Sequence, residues 1–204
     1  MKTIIFDMDG TILDSSYAIV EGINSIRKSL GLEVLDLVSI MRIVNDPCVN
    51  WAQELYEMEQ VTPAITQRFE ILFKSLHVEH SFLYDGIKEL LFTCKEAGCH
   101  VALATNAPDF AAHGIIKKFG LENVFAQVIG ANQVAYPKPH PEMLLRIKES
   151  QDFDEVWMVG DSEKDRQAAL NANVRYLHVN WGFGEVAMNE HYANTPQEAL
   201  VKLL

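Results

Sequence analysis

The sequence of 204 residues contains only three cysteines, Cys48, Cys94 and Cys99, and none sits at a metal-binding spacing. So small and odd a count excludes a disulfide-stapled secreted scaffold and suits a reducing compartment. No apolar run approaches the ~18 residues of a membrane-spanning helix. The opening stretch from Met1 to Asp7 turns polar too early for a signal peptide. No period repeats, and no segment is low in complexity. Positive charge is scarce as well: 17 Lys and Arg stand against 28 Asp and Glu, a formal net charge of −11. That balance argues against the basic footprint of a nucleic-acid binder and against a surface built for anionic lipid. The expectation is a cytoplasmic protein with no nucleic-acid or membrane partner, a monomer or a weak homodimer. What is present, 49% hydrophobic and 22% charged residues, is an ordinary globular balance with enough chain for a real core.

The first apolar run, Thr3 to Phe6, is short and β-rich, and it ends at a glycine turn, Asp7-Met8-Asp9-Gly10-Thr11. It reads as a buried strand. From about 15 to 80 the spacing becomes helical. Ile19, Ile23, Ile26 and Leu30 form one stripe ending at Gly31. Asp46-Pro47 and Thr62-Pro63 each look like an N-cap followed by proline at the first helical position, and Ile65, Phe69, Leu72 and Leu76 make a further stripe. After Asp85-Gly86 the rhythm alternates. Helices are expected at 87–97, 109–119, 141–150 and 163–171, and strands at 100–104, 124–129, 156–159 and 175–179. A last helix opens at Thr195-Pro196-Gln197-Glu198. Alternation of this kind implies an α/β fold with a doubly wound parallel sheet. The expected organisation is a discontinuous α/β core at 1–14 and 84–204, with a helical insert at 15–83.

The unusual polar clusters follow predicted strands: Asp7 and Asp9 the first, Thr105 and Asn106 the second, Asp161 and Asp165 a later one. Open α/β sheets bind ligands outside the carboxyl ends of their strands, so these stretches and Tyr136-Pro137-Lys138-Pro139 can converge at one edge. A chain curling at Gly10 can offer the Asp7 carboxylate and the Asp9 carbonyl to one cation, with Asp161 as a third oxygen, and such a site suits Mg²⁺. An EF-hand is excluded, because glycine falls at the fourth position and Ala18 stands at the twelfth. A carboxylate beside a cation can also act as a nucleophile, and a second can serve as acid and base. The Thr105 hydroxyl, the Lys138 ammonium and turn N–H groups near Met8 and Asn106 can hold phosphoryl oxygens. The histidines His77, His80, His113 and His140 show no ligand spacing and are expected to be structural or exposed. Arg42, Arg68 and Lys74 are expected to be mostly solvated, and Trp51 and Tyr56 to be packed.

These residues resemble the motifs of the haloacid dehalogenase-like hydrolase superfamily. Asp7-Met8-Asp9-Gly10-Thr11 resembles its first motif, Thr105-Asn106 the second, Lys138-Pro139 the third and Gly160-Asp161-Ser162-Glu163-Lys164-Asp165 the fourth. Within it the chain is most similar to the phosphoglycolate phosphatase-like group, in which a helical cap is inserted into a Rossmann-like core. Tyr84-Asp85-Gly86 and Trp181-Gly182-Phe183-Gly184 carry that likeness further. Met41 to Asp46 lacks the Gly-rich loop of the group. The resemblance implies a Mg²⁺-dependent phosphatase acting on a small phosphorylated metabolite, of phosphoglycolate or sugar-phosphate type, through an aspartyl-phosphate. Asp7 would be the nucleophile and Asp9 the acid/base. Thr105, Asn106 and Lys138 would bind the phosphoryl group. Asp7, the Asp9 carbonyl and Asp161 would hold Mg²⁺, and Asp165 would orient Lys138 or a metal-bound water. A phosphosugar mutase and a non-catalytic phosphate-ester-binding module are the alternatives.

Overall fold

The computed structural model describes residues 1–150, 152–184, 186 and 191–204. Its elements run β1 (Lys2–Phe6), β2 (Leu13–Asp14), α1 (Ser16–Ser29), α2 (Leu37–Asn45), α3 (Trp51–Tyr56), α4 (Pro63–His80), β3 (Phe82–Leu83), α5 (Ile87–Glu96) and β4 (His100–Thr105). They continue with α6 (Asp109–Phe119), β5 (Gln127–Gly130), a 3₁₀ turn at Ala131–Gln133, α7 (Glu142–Lys148), β6 (Glu155–Gly160), α8 (Glu163–Ala172), β7 (Arg175–Val179), β8 (Tyr192–Ala193) and α9 (Pro196–Leu203). The main sheet has the order β5-β4-β1-β6-β7-β8, with every pairing parallel.

Strand alternation explains why both faces of the sheet are covered. Ile4 and Phe6 point to one side, where they pack with Ile87, Leu90 and Ile115 of α5 and α6. Ile5 points to the other, against Met143, Leu144 and Ala168 of α7 and α8. Each fully buried Ile or Phe contributes about 1.5–3 kcal/mol, so a one-residue slip of β1 would exchange one apolar set for the other and strand Thr3 and Asp7. β1 lies between β4 and β6. The chain winds outward from β1 on one side and then returns to its other side, so the crevice at the end of β1 is the switch point of the sheet.

Helices α1 to α4 build a third apolar cluster around Ile19, Ile23, Ile40, Leu55 and Phe73. They leave and re-enter the sheet region through a two-residue antiparallel ribbon in which Leu13 pairs with Leu83 and Asp14 with Phe82. At the start of α1 the Asp14 carboxylate accepts from the Ser16 N–H at 3.0 Å. One local expectation fails here. Asp46-Pro47 does not open a helix: Asp46 ends α2, and its carboxylate accepts the Cys48 N–H at 2.8 Å. The next helix is capped by Asn50, whose side chain accepts from the Ala52 and Gln53 N–H groups. α2 itself carries no proline signal and is capped by Asp36, which accepts from the Ser39 N–H at 2.9 Å. Thr62 and Pro63 do start α4. β5 begins at Gln127 rather than 124. At the end of α8, Asn173 takes the left-handed conformation at φ 50°, which asparagine tolerates where most side chains do not.

Candidate active site

Asp7 follows β1 directly and its N–H continues the ladder to the Val159 carbonyl at 2.9 Å. This fixes the carboxylate at the mouth of the crevice. Lys138, from the loop after β5, reaches it: Nζ donates to Asp7 Oδ1 at 2.7 Å and to Asp165 Oδ1 at 2.6 Å. All three side chains are buried. Asn106, after β4, braces the lysine from behind. Its Nδ2 donates to the Lys138 carbonyl at 2.8 Å and its Oδ1 accepts the Lys138 N–H at 3.0 Å. The Asn106 amide is therefore committed to the lysine backbone. Thr105 is buried at the end of β4, and its hydroxyl oxygen accepts the Ala107 N–H at 3.0 Å, which leaves the hydroxyl proton to donate.

Asp161 follows β6. Its Oδ1 accepts from the Thr11 hydroxyl at 3.1 Å, and its Oδ2 from the N–H groups of Phe183 and Gly184 at 2.7 and 3.1 Å. The stretch from Trp181 to Gly184 thus acts as a backbone clamp on this carboxylate, anchored by Trp181 Nε1 donating to the Thr11 carbonyl at 2.9 Å. Two glycines make the approach possible. Gly10 sits at φ +84°, and a Cβ there would collide with the Asp161 carboxylate. A Cβ on Gly184 would strike the Asp161 carbonyl. Asp165 opens α8 and returns Oδ2 to Ser162, accepting its N–H at 3.1 Å and its hydroxyl at 2.6 Å. Carboxylates at a helix N-terminus are stabilised there.

Asp9 stands apart from this cluster. Its Oδ1 accepts from the Ser15 hydroxyl at 2.6 Å and lies 2.7 Å from His77 Nε2. His77 comes from α4, is fully buried and stacks on Phe73 with ring centroids 4.4 Å apart. Of the two expectations, structural or exposed, it is not exposed: it is buried, with Nε2 against the Asp9 carboxylate. The available signal was positional, since His77 continues the Ile65–Phe69–Phe73 face of α4 at four-residue steps where the stripe predicts an apolar side chain.

The electrostatics follow from burial. Desolvation raises Asp7 well above the usual carboxylate range; Lys138 opposes this, while Asp165 and Asp161 add to it. Burial, with the Asp165 charge beside it, pushes Asp161 up to about 7. Lys138 would be depressed by burial alone, but Asp165 and Asp7 outweigh that and raise it. Asp9 is lowered: burial would raise it, but the charge and hydrogen bond of His77 and the bond from Ser15 prevail. Among the described residues, Asp7, Asp161 and Asp165 place carboxylate oxygens within 4.8 Å of one another. The hard oxygen donors of this set fit Mg²⁺. The carboxyl group of Asp9 is outside this trio, while Asp165 is inside it yet already bonded to Lys138 and Ser162 through both oxygens.

An open-sheet crevice with paired carboxylates, a buried lysine and a hydroxyl at successive strand ends defines a class of phosphoryl-transfer hydrolases. The chain belongs to the haloacid dehalogenase-like hydrolase family, whose profile matches residues 4–179. It is 30% identical to a phosphoglycolate phosphatase of Rhodobacter capsulatus over 203 residues, 97% of this chain and 88% of that one. It is also 30% identical to the phosphoglycolate phosphatase of Agrobacterium fabrum over 194 residues, 91% of this chain and 83% of that one. Among solved structures, a predicted phosphatase from Clostridium acetobutylicum superposes with a TM-score of 0.86 at 26% identity, covering 98% of this chain and 97% of that one. The chain is accordingly a hydrolase, and a phosphatase. No helix among the described residues is long and apolar enough to cross a membrane.

Proposed function

We propose that this phosphatase is Mg²⁺-dependent and removes the phosphoryl group from a small phosphate monoester by way of an aspartyl-phosphate on Asp7. The observation that carries this reading is the Asp7–Lys138–Asp165 chain, in which a buried ammonium holds one oxygen of a buried carboxylate at 2.7 Å. An oxygen of Asp7 attacks phosphorus and the bond to the ester oxygen breaks. Asp9, which must enter the cycle protonated against its lowered pKa, gives that oxygen its proton and regains one from the water that attacks the Asp7 phosphoryl group. The Thr105 hydroxyl and Lys138 hold the equatorial oxygens, where most phosphoryl-transfer catalysis is positioning and charge stabilisation. Asn106 keeps Lys138 in place. Bound Mg²⁺ would be held by Asp7, the Asp9 carbonyl and Asp161, and it would neutralise charge on the phosphoryl oxygens. The unit at 1–14 and 84–204 is the catalytic core in this reading, and 15–83 is a cap whose His77 orients Asp9.

Mg²⁺ at about 100 times its dissociation constant is expected to raise the thermal midpoint by roughly 5–10 °C over EDTA-treated protein. Asp161→Asn is expected to lose most of that shift together with phosphate release. An unchanged shift in Asp161→Asn would remove Asp161 from the metal site. His77→Ala is expected to lower kcat roughly 10- to 100-fold with a smaller change in KM, the pattern of a misplaced reacting group. His77→Gln, which keeps an N–H donor, should recover part of the loss. An effect confined to KM or to stability would deny His77 this positioning role.

A further inference from the structure

Above Asp7 and Lys138 lies a cavity of about 440 Å³ whose floor is catalytic and whose walls come from the inserted helices. Asp7, Asp9, Thr105 and Lys138 line the floor; Ile19, Ile23, Trp51, Tyr56, Ile65 and Phe69 line the walls. The aromatic rings are ordered against one another. Trp51 meets Tyr56 edge-on with centroids 6.5 Å apart, and Phe69 stacks on Phe73 at 5.3 Å. The basic residues Arg42, Arg68 and Lys74 lie elsewhere: Arg42 lines a neighbouring cleft beside Asp161, and neither Arg68 nor Lys74 lines this cavity.

The wall is mostly apolar; Thr66 of α4 is polar, and so is one corner. Lys164, next to Asp165 on α8, donates from Nζ to the Val44 carbonyl at 2.5 Å. The neighbouring Asn45 Nδ2 is buried and has no hydrogen-bond partner among the described residues. An orphaned buried donor is costly to leave unpaired, and an oxygen of a bound ligand would relieve it. Two donors at one corner serve one acceptor group. They cannot satisfy the several hydroxyls of a sugar, each of which loses water on entering an apolar wall. A two-carbon acid such as glycolate leaves most of the apolar wall unfilled. A cavity of about 150 Å³ already takes a benzene ring, so this one holds a phosphoryl group and a ring-sized body together.

Building on the phosphatase reading, we propose that the preferred substrate is a phosphate monoester of an alcohol with an apolar, aromatic or branched body, with at most one acceptor group directed to Asn45 and Lys164. Specificity then resides in α1, α3 and α4 rather than in cationic cap residues. Benzyl phosphate, phosphoglycolate and glucose 6-phosphate are all esters of primary alcohols, so their relative rates report mainly on the pocket. With Mg²⁺ present, kcat/KM is expected to favour benzyl phosphate over the other two by roughly 100-fold. Trp51→Ala and Phe69→Ala should lose roughly 10-fold more on benzyl phosphate than on acetyl phosphate, whose small leaving group does not reach the wall. Equal or better turnover of phosphoglycolate or glucose 6-phosphate overturns the proposal and leaves the phosphatase reading standing. Failure on all four compounds overturns both.

Discussion

Asp7→Asn is expected to lose roughly 10⁴-fold or more in kcat, about 5.5 kcal/mol, while the protein stays folded. The size follows from the role. An amide oxygen is a poor nucleophile, and the covalent intermediate has no other place to form. Asp7 is also the partner that holds Lys138 at 2.7 Å, so the change removes charge from a buried ion pair. Asp165 at 2.6 Å keeps the ammonium paired, and loss of one of two carboxylates from a crowded acidic site relieves repulsion as well as attraction. Stability should therefore change far less than rate. Circular dichroism and thermal melting beside the kinetic assay separate the two. Unfolding of Asp7→Asn, or a rate within 10-fold of the parent, would contradict the assignment.

Asp9→Asn is expected to lose roughly 10²–10⁴-fold, the usual span for a general acid/base. The loss should depend on the leaving group. An alkyl ester leaves as a strongly basic alkoxide and needs the proton, whereas acetyl phosphate leaves as a weakly basic carboxylate and hardly does. The variant should therefore lose more on benzyl phosphate than on acetyl phosphate in kcat/KM, which reports transfer to Asp7 and not the later hydrolysis common to both. An equal loss on both would point to a structural part for Asp9. Its bonds to Ser15 and His77 make the contrast sharp, since they hold the carboxyl group in one orientation and apart from the Asp7, Asp161 and Asp165 cluster.

Much of the fold is legible in the sequence because short apolar runs and helix punctuation are local. The strand at Arg175–Val179 and the helix at Asp109–Phe119 are read to the residue. The helix starts at Asp36 and Asn50 are not. Asp46-Pro47 offers the same local chemistry as a true start, and only the hydrogen bonds of the folded chain decide between them. The candidate site is legible where residues lie at strand ends, because topology alone brings Asp7, Thr105, Lys138 and Asp161 together. His77 is not, since it meets Asp9 across 68 positions of sequence. The cavity is hidden for a different reason. Ile19, Ile23, Ile65 and Phe69 have the spacing of core residues, and a helical stripe looks the same whether it faces another helix or a space for a ligand.

The central claim is that Asp7 carries the phosphoryl group. Rapid mixing with benzyl phosphate and Mg²⁺, a quench in borohydride and peptide mass spectrometry test it directly, because borohydride reduces an acyl phosphate to an alcohol. Conversion of Asp7 to homoserine, absent without substrate and absent in Asp7→Asn, is the predicted result. Homoserine at Asp9, Asp161 or Asp165 instead, or no reduction while phosphate is still released in a burst, would contradict the account.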